Sequence, residues 1–310
     1  MSTAIFSHPE CSRHDMGEWH PESPARLQAI EDQLILARLD GLLERREAPV
    51  AELPAILRNH SEAALALVRD NTPHHEGEYY PLDADTILCT HSYRAALRAA
   101  GAALAATDAV IAGSIANAFC AVRPPGHHAR PSQPMGFCLF NNVAIAARHA
   151  LDSHGLQRVA IIDFDVHHGN GTAESFAGDP RVLMASFYQH PFYPYTDPEP
   201  ESPTCVNVPV PAGSRGELVR ELITEHWLPA LHRFQPEMVF ISAGFDAHAE
   251  DDLGGMKLVE DDYAWITREV MAIARLYAQG RIVSCLEGGY NLSALGRSTV
   301  AHLKALADIG

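Results

Sequence analysis

Apolar positions along the chain fall into short unbroken runs, separated by longer stretches in which they recur every three or four residues. The runs are Ala118–Val122, Val159–Ile162, Val182–Phe187, Met238–Ser242 and Ile282–Leu286. The helical pattern covers Ser92–Ala112, Asn142–Ser153, Glu217–Phe234, Asp261–Ala278 and Leu292–Ala307. Strands apolar on both faces and separated by helices predict a mostly parallel central β-sheet flanked by helices on both faces. No internal repeat, low-complexity block or dividing linker interrupts this alternation, so residues 1–310 read as a single α/β domain. The stretch Gln189–Pro203 carries five prolines and three aromatics, which predicts a stiff, ordered loop.

Composition narrows the class. With 47% hydrophobic and 20% charged residues, the chain can bury a substantial core. Its 39 Asp and Glu against 23 Lys and Arg give a net charge of −16. That balance argues against nucleic acid as a partner, because phosphate neutralisation needs clustered cations. It suits a cationic ligand, as well as solubility. The N-terminal segment has no basic stretch and no apolar run of signal-peptide length. The most apolar long stretch, Ala95–Val122, is broken by Arg98, Asp108 and Asn117, so it reads as a packed helix and strand rather than a membrane span. Six scattered cysteines without a Cys-x-x-Cys pair read as reduced thiols of a cytoplasmic protein. A homo-oligomer is compatible with all of this.

The 18 histidines direct attention to chemistry, and their placement matters more than their number. In open α/β sheets the working residues sit just past the carboxyl ends of the strands. Arg-Pro-Pro-Gly-His-His, ending at His127 and His128, follows the first run. Asp-Phe-Asp-Val-His-His-Gly-Asn-Gly, Asp163 to Gly171, follows the second. Ala-Gly-Phe-Asp ends at Asp246, and Glu-Gly-Gly-Tyr-Asn spans Glu287 to Asn291. These four strand ends are expected to converge on one edge of the sheet.

Asp165 and His167 are two apart on a segment read as extended, so their side chains share a side. With Asp246 they supply two carboxylates and one imidazole, a three-ligand set that suits a catalytic Zn²⁺ and leaves Fe²⁺ or another first-row ion open. Taken alone, an Asp-x-His would only cap a helix. Here Asp163 and His168 crowd the same strand end, and burying so many polar groups without a ligand is costly. His127 and His128 emerge from a rigid Pro-Pro-Gly turn, which suits a general base near a metal-activated water. Tyr290, in a glycine-flexed loop, can donate its hydroxyl to a developing oxyanion.

In these ordered motifs the chain resembles the histone deacetylase family of the arginase/deacetylase fold. Arg123–His128, Gly136–Asn142, Asp163–Gly171, Ala243–Asp246 and Glu287–Asn291 carry the resemblance, and His20-Pro-Glu-Ser-Pro-Ala-Arg26 fits its bacterial and class II branches. The resemblance implies that Asp165, His167 and Asp246 bind zinc and that His128 is the general base and acid. It implies His127 as an electrostatic partner held by Asp163, and Tyr290 as the group that polarises the acetyl carbonyl. Gly136, Phe137 and Tyr193 would line a narrow channel for the acyl-lysine stem. Potassium would be held by Asp163, Asp165, His167, Ser186 and Phe187, with a more distant second site at Phe176, Asp179 and Val182. A contact to the substrate backbone would fall near His91 or Ser92.

Two departures carry information. Asn170 stands where the class I branch has an aspartate beside the catalytic histidine; an amide orients His128 without stabilising its imidazolium by charge. Leu253 falls where polyamine-selective relatives carry a glutamate. Acetylated protein or peptide is therefore the first expected substrate, with acetylpolyamine as the alternative and the acidic loop His74–Asp85 as its candidate recognition element. A ureohydrolase needs further carboxylates for a second metal, and a non-catalytic acyl-lysine binder would have no use for Tyr290. Neither Gly-x-Ser-x-Gly nor His-Glu-x-x-His occurs, which argues against a serine hydrolase of that type and against a zincin.

Overall fold

The computed structural model describes residues 2–198 and 202–309. Among the described residues ten strands are formed: β1 Thr3–Ser7, β2 Glu44–Glu47, β3 Tyr79–Pro81, β4 Ile87–Cys89, β5 Asn117–Cys120, β6 Val159–Asp163, β7 Val182–Gln189, β8 Cys205–Val210, β9 Met238–Ala243 and β10 Ile282–Leu286. Eight of them build one sheet in the order β2-β1-β5-β10-β9-β6-β7-β8, with every pairing parallel. β3 and β4 form a separate antiparallel pair.

The helices before β6 are α1 Ala25–Leu36, α2 Leu53–Ile56, α3 Glu62–Asn71, α4 Ser92–Ile111 and α5 Asn142–Asp152. Those after it are α6 Asn170–Ser175, α7 Gly216–Leu222, α8 Leu228–Phe234, α9 Glu260–Tyr277 and α10 Leu292–Leu306. All five predicted strands and all five predicted helical stretches form, within two residues at each end. The one change of kind is at Glu217–Phe234, where a π-helical turn, Ile223–Trp227, separates α7 from α8. Pro229 explains it: proline has no N–H for the regular ladder and its ring clashes with the preceding turn, which a wider turn relieves.

The central strands are buried along their whole length, as both-face coverage requires. The two edge strands differ from the central ones, the apolar signature of β8 being the alternate buried valines Val206, Val208 and Val210. β2 is Glu-Arg-Arg-Glu, charged at every position, and β8 carries the exposed Pro209, both suited to an edge that must not pair further. Trp227 lies beneath β7, stacking on Phe187 at 5.7 Å and donating from Nε1 to the Ser186 carbonyl at 3.2 Å. No described helix is long and apolar enough to cross a membrane. Of the loop Gln189–Pro203, residues 199–201 lie outside the described residues; the part before them packs Phe192, Tyr193 and Tyr195 along one wall of the cavity described next.

Candidate active site and metal centre

Parallel pairing puts the carboxyl ends of β5, β10, β9 and β6, four adjacent strands, on one edge, and the motifs that follow them meet there. Register places Asp163, the last residue of β6, opposite Ser242 on one side and Ser186 on the other. Past Asp163 the chain leaves the strand and bends, so Asp165 and His167 reach their positions from a turn rather than from an extended segment. They still converge. His167 Nδ1 lies 3.0 Å from Asp165 Oδ1 and 3.2 Å from Asp246 Oδ2. The donor atoms of Asp165, His167 and Asp246 fall within 4.8 Å of one another.

These residues fit a divalent cation. Both carboxylates are buried, yet Asp246 Oδ2 has no hydrogen-bond donor. The remaining oxygens are held by backbone: Val166 N donates to Asp246 Oδ1 at 2.9 Å, and Gly288 N to Asp165 Oδ2 at 2.9 Å. Glycine is required around this cradle, because a Cβ on Gly288 would stand 2.0 Å from Asp246 Oδ2 and one on Gly244 2.0 Å from Asp165 Oδ2. Burial, then the neighbouring Asp165, pushes Asp246 up to about 7. Although burial pushes His167 down, Asp165 and Asp246 raise it to about 10. Two buried carboxylates and one imidazole brought this close form a donor set that a dication would serve.

His127 and His128 lie side by side with ring centroids 4.0 Å apart, in opposite electrostatic settings. His127 Nδ1 donates to Asp163 Oδ2 at 3.0 Å. Burial opposes its charge, but Asp165 and Asp163 hold it well above the ordinary histidine range. His128 is held well below that range by burial, then by His127 and His167. Its Nδ1 meets Asn170 Oδ1 at 2.8 Å, leaving the other ring nitrogen free to accept a proton. The turn carrying the pair is clamped by Glu287, whose Oε2 accepts from Gly126 N at 2.6 Å and His127 N at 3.1 Å. Ser242 Oγ donates to the other oxygen at 3.1 Å. Burial raises Glu287 to about 7.

Tyr290 is fixed from both sides. Asp251 Oδ2 accepts from Tyr290 N at 2.6 Å and Asn291 N at 2.9 Å, and Asn291 caps α10 through Ala294 N. Arg26, buried at 0% exposure, donates to the Gly289 carbonyl at 2.7 Å and to the Glu287 carbonyl, with its guanidinium 5.0 Å from the Tyr290 ring centre. Glu22 holds Arg26 and Arg123 together; burial opposes its charge, but the two arginines bring it down to about 2. Burial keeps the Tyr290 phenol protonated, raising it well above its usual range.

A cavity of about 200 Å³ opens onto this centre, lined by Gly136, Phe137, Tyr193 and Leu253 together with His128, His167 and Tyr290. Phe192, Tyr195 and Asp85 complete it. Gly136 has φ +57°, and a Cβ there would lie 2.6 Å from His128 Cδ2 and 2.8 Å from the Tyr193 hydroxyl. Of the acidic loop, Asp85 reaches the wall, while Glu76 pairs with Arg13 and His91. Near the expected substrate contact, Ser92 is buried against His14 and Cys89, while His91 pairs with Glu76 outside the cavity lining. At the expected cation positions, Ser186 Oγ donates to Asn207 Oδ1 at 2.8 Å, and Phe187 is buried beside it in β7. Phe176 and Val182 are buried farther along, and Asp179 pairs with Arg181.

The motif spacing and this geometry have a clear parallel among known proteins. A model of the histone deacetylase domain matches residues 20–306. The chain belongs to the histone deacetylase family. It is 37% identical to a histone deacetylase-like amidohydrolase of Pseudomonas aeruginosa, over 94% of this chain and 77% of that one. It is 36% identical to a probable deacetylase of Archaeoglobus fulgidus, over 99% of this chain and 87% of that one. Among solved structures, the HDA15 HD domain superposes with a TM-score of 0.92 at 33% identity, covering 99% of this chain and 90% of that one. The family model covers the His20–Arg26 motif, both histidines, the three-ligand cluster and Tyr290.

Sequence reasoning missed Asp251, the tether of Tyr290, and gave Glu287 no task beyond flanking the tyrosine. Asp251 sits five residues past Asp246 in an acidic stretch, Glu250-Asp251-Asp252, that reads as solvated surface. Only its 5% exposure marks it as structural.

Proposed function

We propose that this deacetylase-family hydrolase removes the acetyl group from N-acetyl-lysine side chains of a protein or peptide. The observation that carries this reading is the cavity: a narrow aromatic passage that ends on His128, His167 and Tyr290. A lysine stem has four methylenes, and burying them is worth ~3 kcal/mol at ~0.8 kcal/mol each. Asp165, His167 and Asp246 would hold a divalent cation, zinc in the first instance. That ion supplies Lewis acidity to the acyl oxygen and the attacking water.

The side chains supply the rest. His128, neutral and oriented by Asn170, accepts the proton of the attacking water and delivers it to the departing amine. His127, charged and bound to Asp163, adds positive potential beside it. Tyr290 donates its hydroxyl to the oxygen that gains charge at the former carbonyl, a contribution of about 2.7–4 kcal/mol for donors of this kind. A potassium ion would be held behind the centre by Asp163, Asp165, His167, Ser186 and Phe187, with Phe176, Asp179 and Val182 forming a second site.

One observation favours an acetylpolyamine as the second reading. Asp85 places a half-buried carboxyl in the wall of the cavity, where a distal ammonium could pair with it. Against it, Leu253 presents no charge there. The experiment is a panel of acetyl-lysine peptides, acetylputrescine and acetylspermidine, assayed with metal content measured on the same preparation. Turnover of peptides with no turnover of acetylpolyamines supports the first reading, and the reverse supports the second. Two tightly bound catalytic metals with urea released from agmatine would overturn both.

A further inference from the structure

At the opposite edge of the sheet, a second group of metal-binding side chains converges. Asp108 lies near the end of α4, His149 in the last turn of α5, and His154 in the turn beyond α5. Both helices finish near the first residues of the strands they lead into, β5 and β6, whereas the catalytic residues follow the last residues of those strands. The cluster therefore sits a full strand length away from the cavity. Both Nε2 atoms, of His149 and His154, lie 2.7 Å from the same oxygen, Asp108 Oδ1. The two rings meet edge to face at 5.0 Å, and the three donor atoms fall within 4.8 Å of one another.

We propose that Asp108, His149 and His154 form a second divalent-metal site, of the kind that takes zinc, nickel or copper. Imidazole and carboxylate are the donors such ions prefer. A tetrahedral ion with bonds of ~2.0–2.1 Å needs donor atoms ~3.3 Å apart, so each Nε2 has to draw back from Asp108 Oδ1 by only about half an ångström. The histidines are held yet reachable, at 17% and 27% side-chain exposure. A cleft of about 300 Å³ lined by Glu52, Arg58, Asp108 and His149 lies alongside, giving solvent a remaining coordination position.

Arg58 opposes the ion. Its NH1 lies 2.9 Å from His149 Nδ1, which therefore acts as an acceptor, with the ring proton on Nε2 facing Asp108. Ligation through Nε2 moves that proton to Nδ1 with no net release, and Nδ1–H then faces a second donor. Arg58 is exposed and must swing away. Asp108 belongs to α4 and His149 to α5, with His154 just beyond it, so the ion acts by tying α4 to α5.

The test uses full-length protein titrated with Zn²⁺ and Co²⁺, reading stoichiometry by metal analysis, affinity by calorimetry and thermal stability in parallel. Wild type is expected to bind one equivalent beyond the catalytic one and to gain thermal stability from it. His154→Ala, in an exposed turn, is expected to lose that equivalent and that gain while keeping the catalytic metal and its turnover. Arg58→Ala is expected to tighten the second equivalent roughly tenfold, the effect of removing one hydrogen bond to a charged group. Unchanged stoichiometry and affinity in His154→Ala, or unchanged affinity in Arg58→Ala, would overturn the proposal. Retained turnover in His154→Ala keeps this outcome separate from that of the catalytic assignment.

Discussion

Asn170 presents Oδ1 to His128 Nδ1 at 2.8 Å, so an amide rather than a carboxylate sets the tautomer of the histidine at the end of the cavity. Asn170 Nδ2 faces Met135 Sδ at 3.4 Å, which leaves the oxygen for the imidazole. Burial, with His127 and His167 close by, keeps His128 well below the ordinary range. It is therefore a base that is neutral at physiological pH and gains no charged partner when it takes up a proton.

Asn170→Asp supplies that partner. A carboxylate beside the ring favours the imidazolium, so the pKa of His128 rises. Because the neutral form must be present to accept a proton, the acid limb of the kcat/KM profile is expected to move to higher pH. Turnover at pH 6 falls relative to wild type more than turnover at pH 8. An acid limb that stays in place would show that another group controls it.

Tyr290→Phe deletes the hydroxyl while keeping the ring beside Phe137 and Arg26. Loss of one oxyanion donor is expected to lower kcat by about 10²–10³-fold, with KM changed much less. His128→Ala is expected to abolish turnover with the metal retained, since His128 stands outside the three-ligand cluster. Metal analysis of both variants checks that the loss is chemical.

Gly288→Ala tests the metal cradle without touching a ligand. Its Cβ would stand 2.0 Å from Asp246 Oδ2 and 2.6 Å from Asp165 Oδ2. Bound metal is expected to fall by most of one equivalent relative to wild type as the carboxylates are pushed apart. Full metal content in a folded Gly288→Ala protein would mean that the ion lies elsewhere.

Five of the eight strands of the sheet, and every catalytic side chain proposed, were legible because their signals are local. The strand ends announce themselves as an apolar run followed by glycine and an ionisable group, as in Val159–Gly171. β2 was not legible, since an edge strand that avoids pairing carries charge instead of apolar periodicity. Nor was the role of Arg26 beyond its motif, because its partners at Glu287 and Gly289 are more than 250 positions away in sequence. The π-helical turn was hidden by an apolar period that runs through it unbroken.

Several histidines counted in the composition are core residues and set a pH limit on stability. His302 is fully buried, with Thr267 Oγ1 at 2.7 Å from Nδ1 and Ser284 Oγ at 3.0 Å from Nε2. Burial lowers it to about 3, and likewise lowers His14 and His60 to about 4. The folded state holds these rings neutral, while the unfolded chain protonates them below about 6.5. The unfolded state then binds more protons, so the stability they provide is complete above that pH and is lost as pH falls towards 4. The slope is up to about 1.4 kcal/mol per pH unit for each ring. Urea denaturation at pH 7, 6 and 5 is expected to show this decline, and His302→Gln, which keeps the polar contacts, should flatten it by about one ring's share. An unflattened slope would assign the pH dependence to other groups.

Leu253→Glu tests substrate choice. Leu253 lines the cavity along with Asp85, so a carboxylate there adds a second negative charge facing a bound chain. Acetylspermidine turnover is expected to rise relative to that of acetyl-lysine peptides. A ratio unchanged from wild type would remove Leu253 from specificity.

β6 and β9 are hydrogen-bonded neighbours, yet β7, β8 and the α7–α8 region lie between them along the chain. The backbone amide that steadies Asp165 comes from Gly288, 123 positions later. Such distant pairings form slowly and late, because loop closure must precede the contacts that reward it. A chain ending before β10 carries Asp165, His167 and Asp246 but lacks the Gly288 amide that steadies Asp165, so the three-ligand cluster reaches its final form only with the last strand in place. Full-affinity binding at the proposed catalytic centre would thus report completed folding, and a chain truncated before β10 would hold its ion there more loosely.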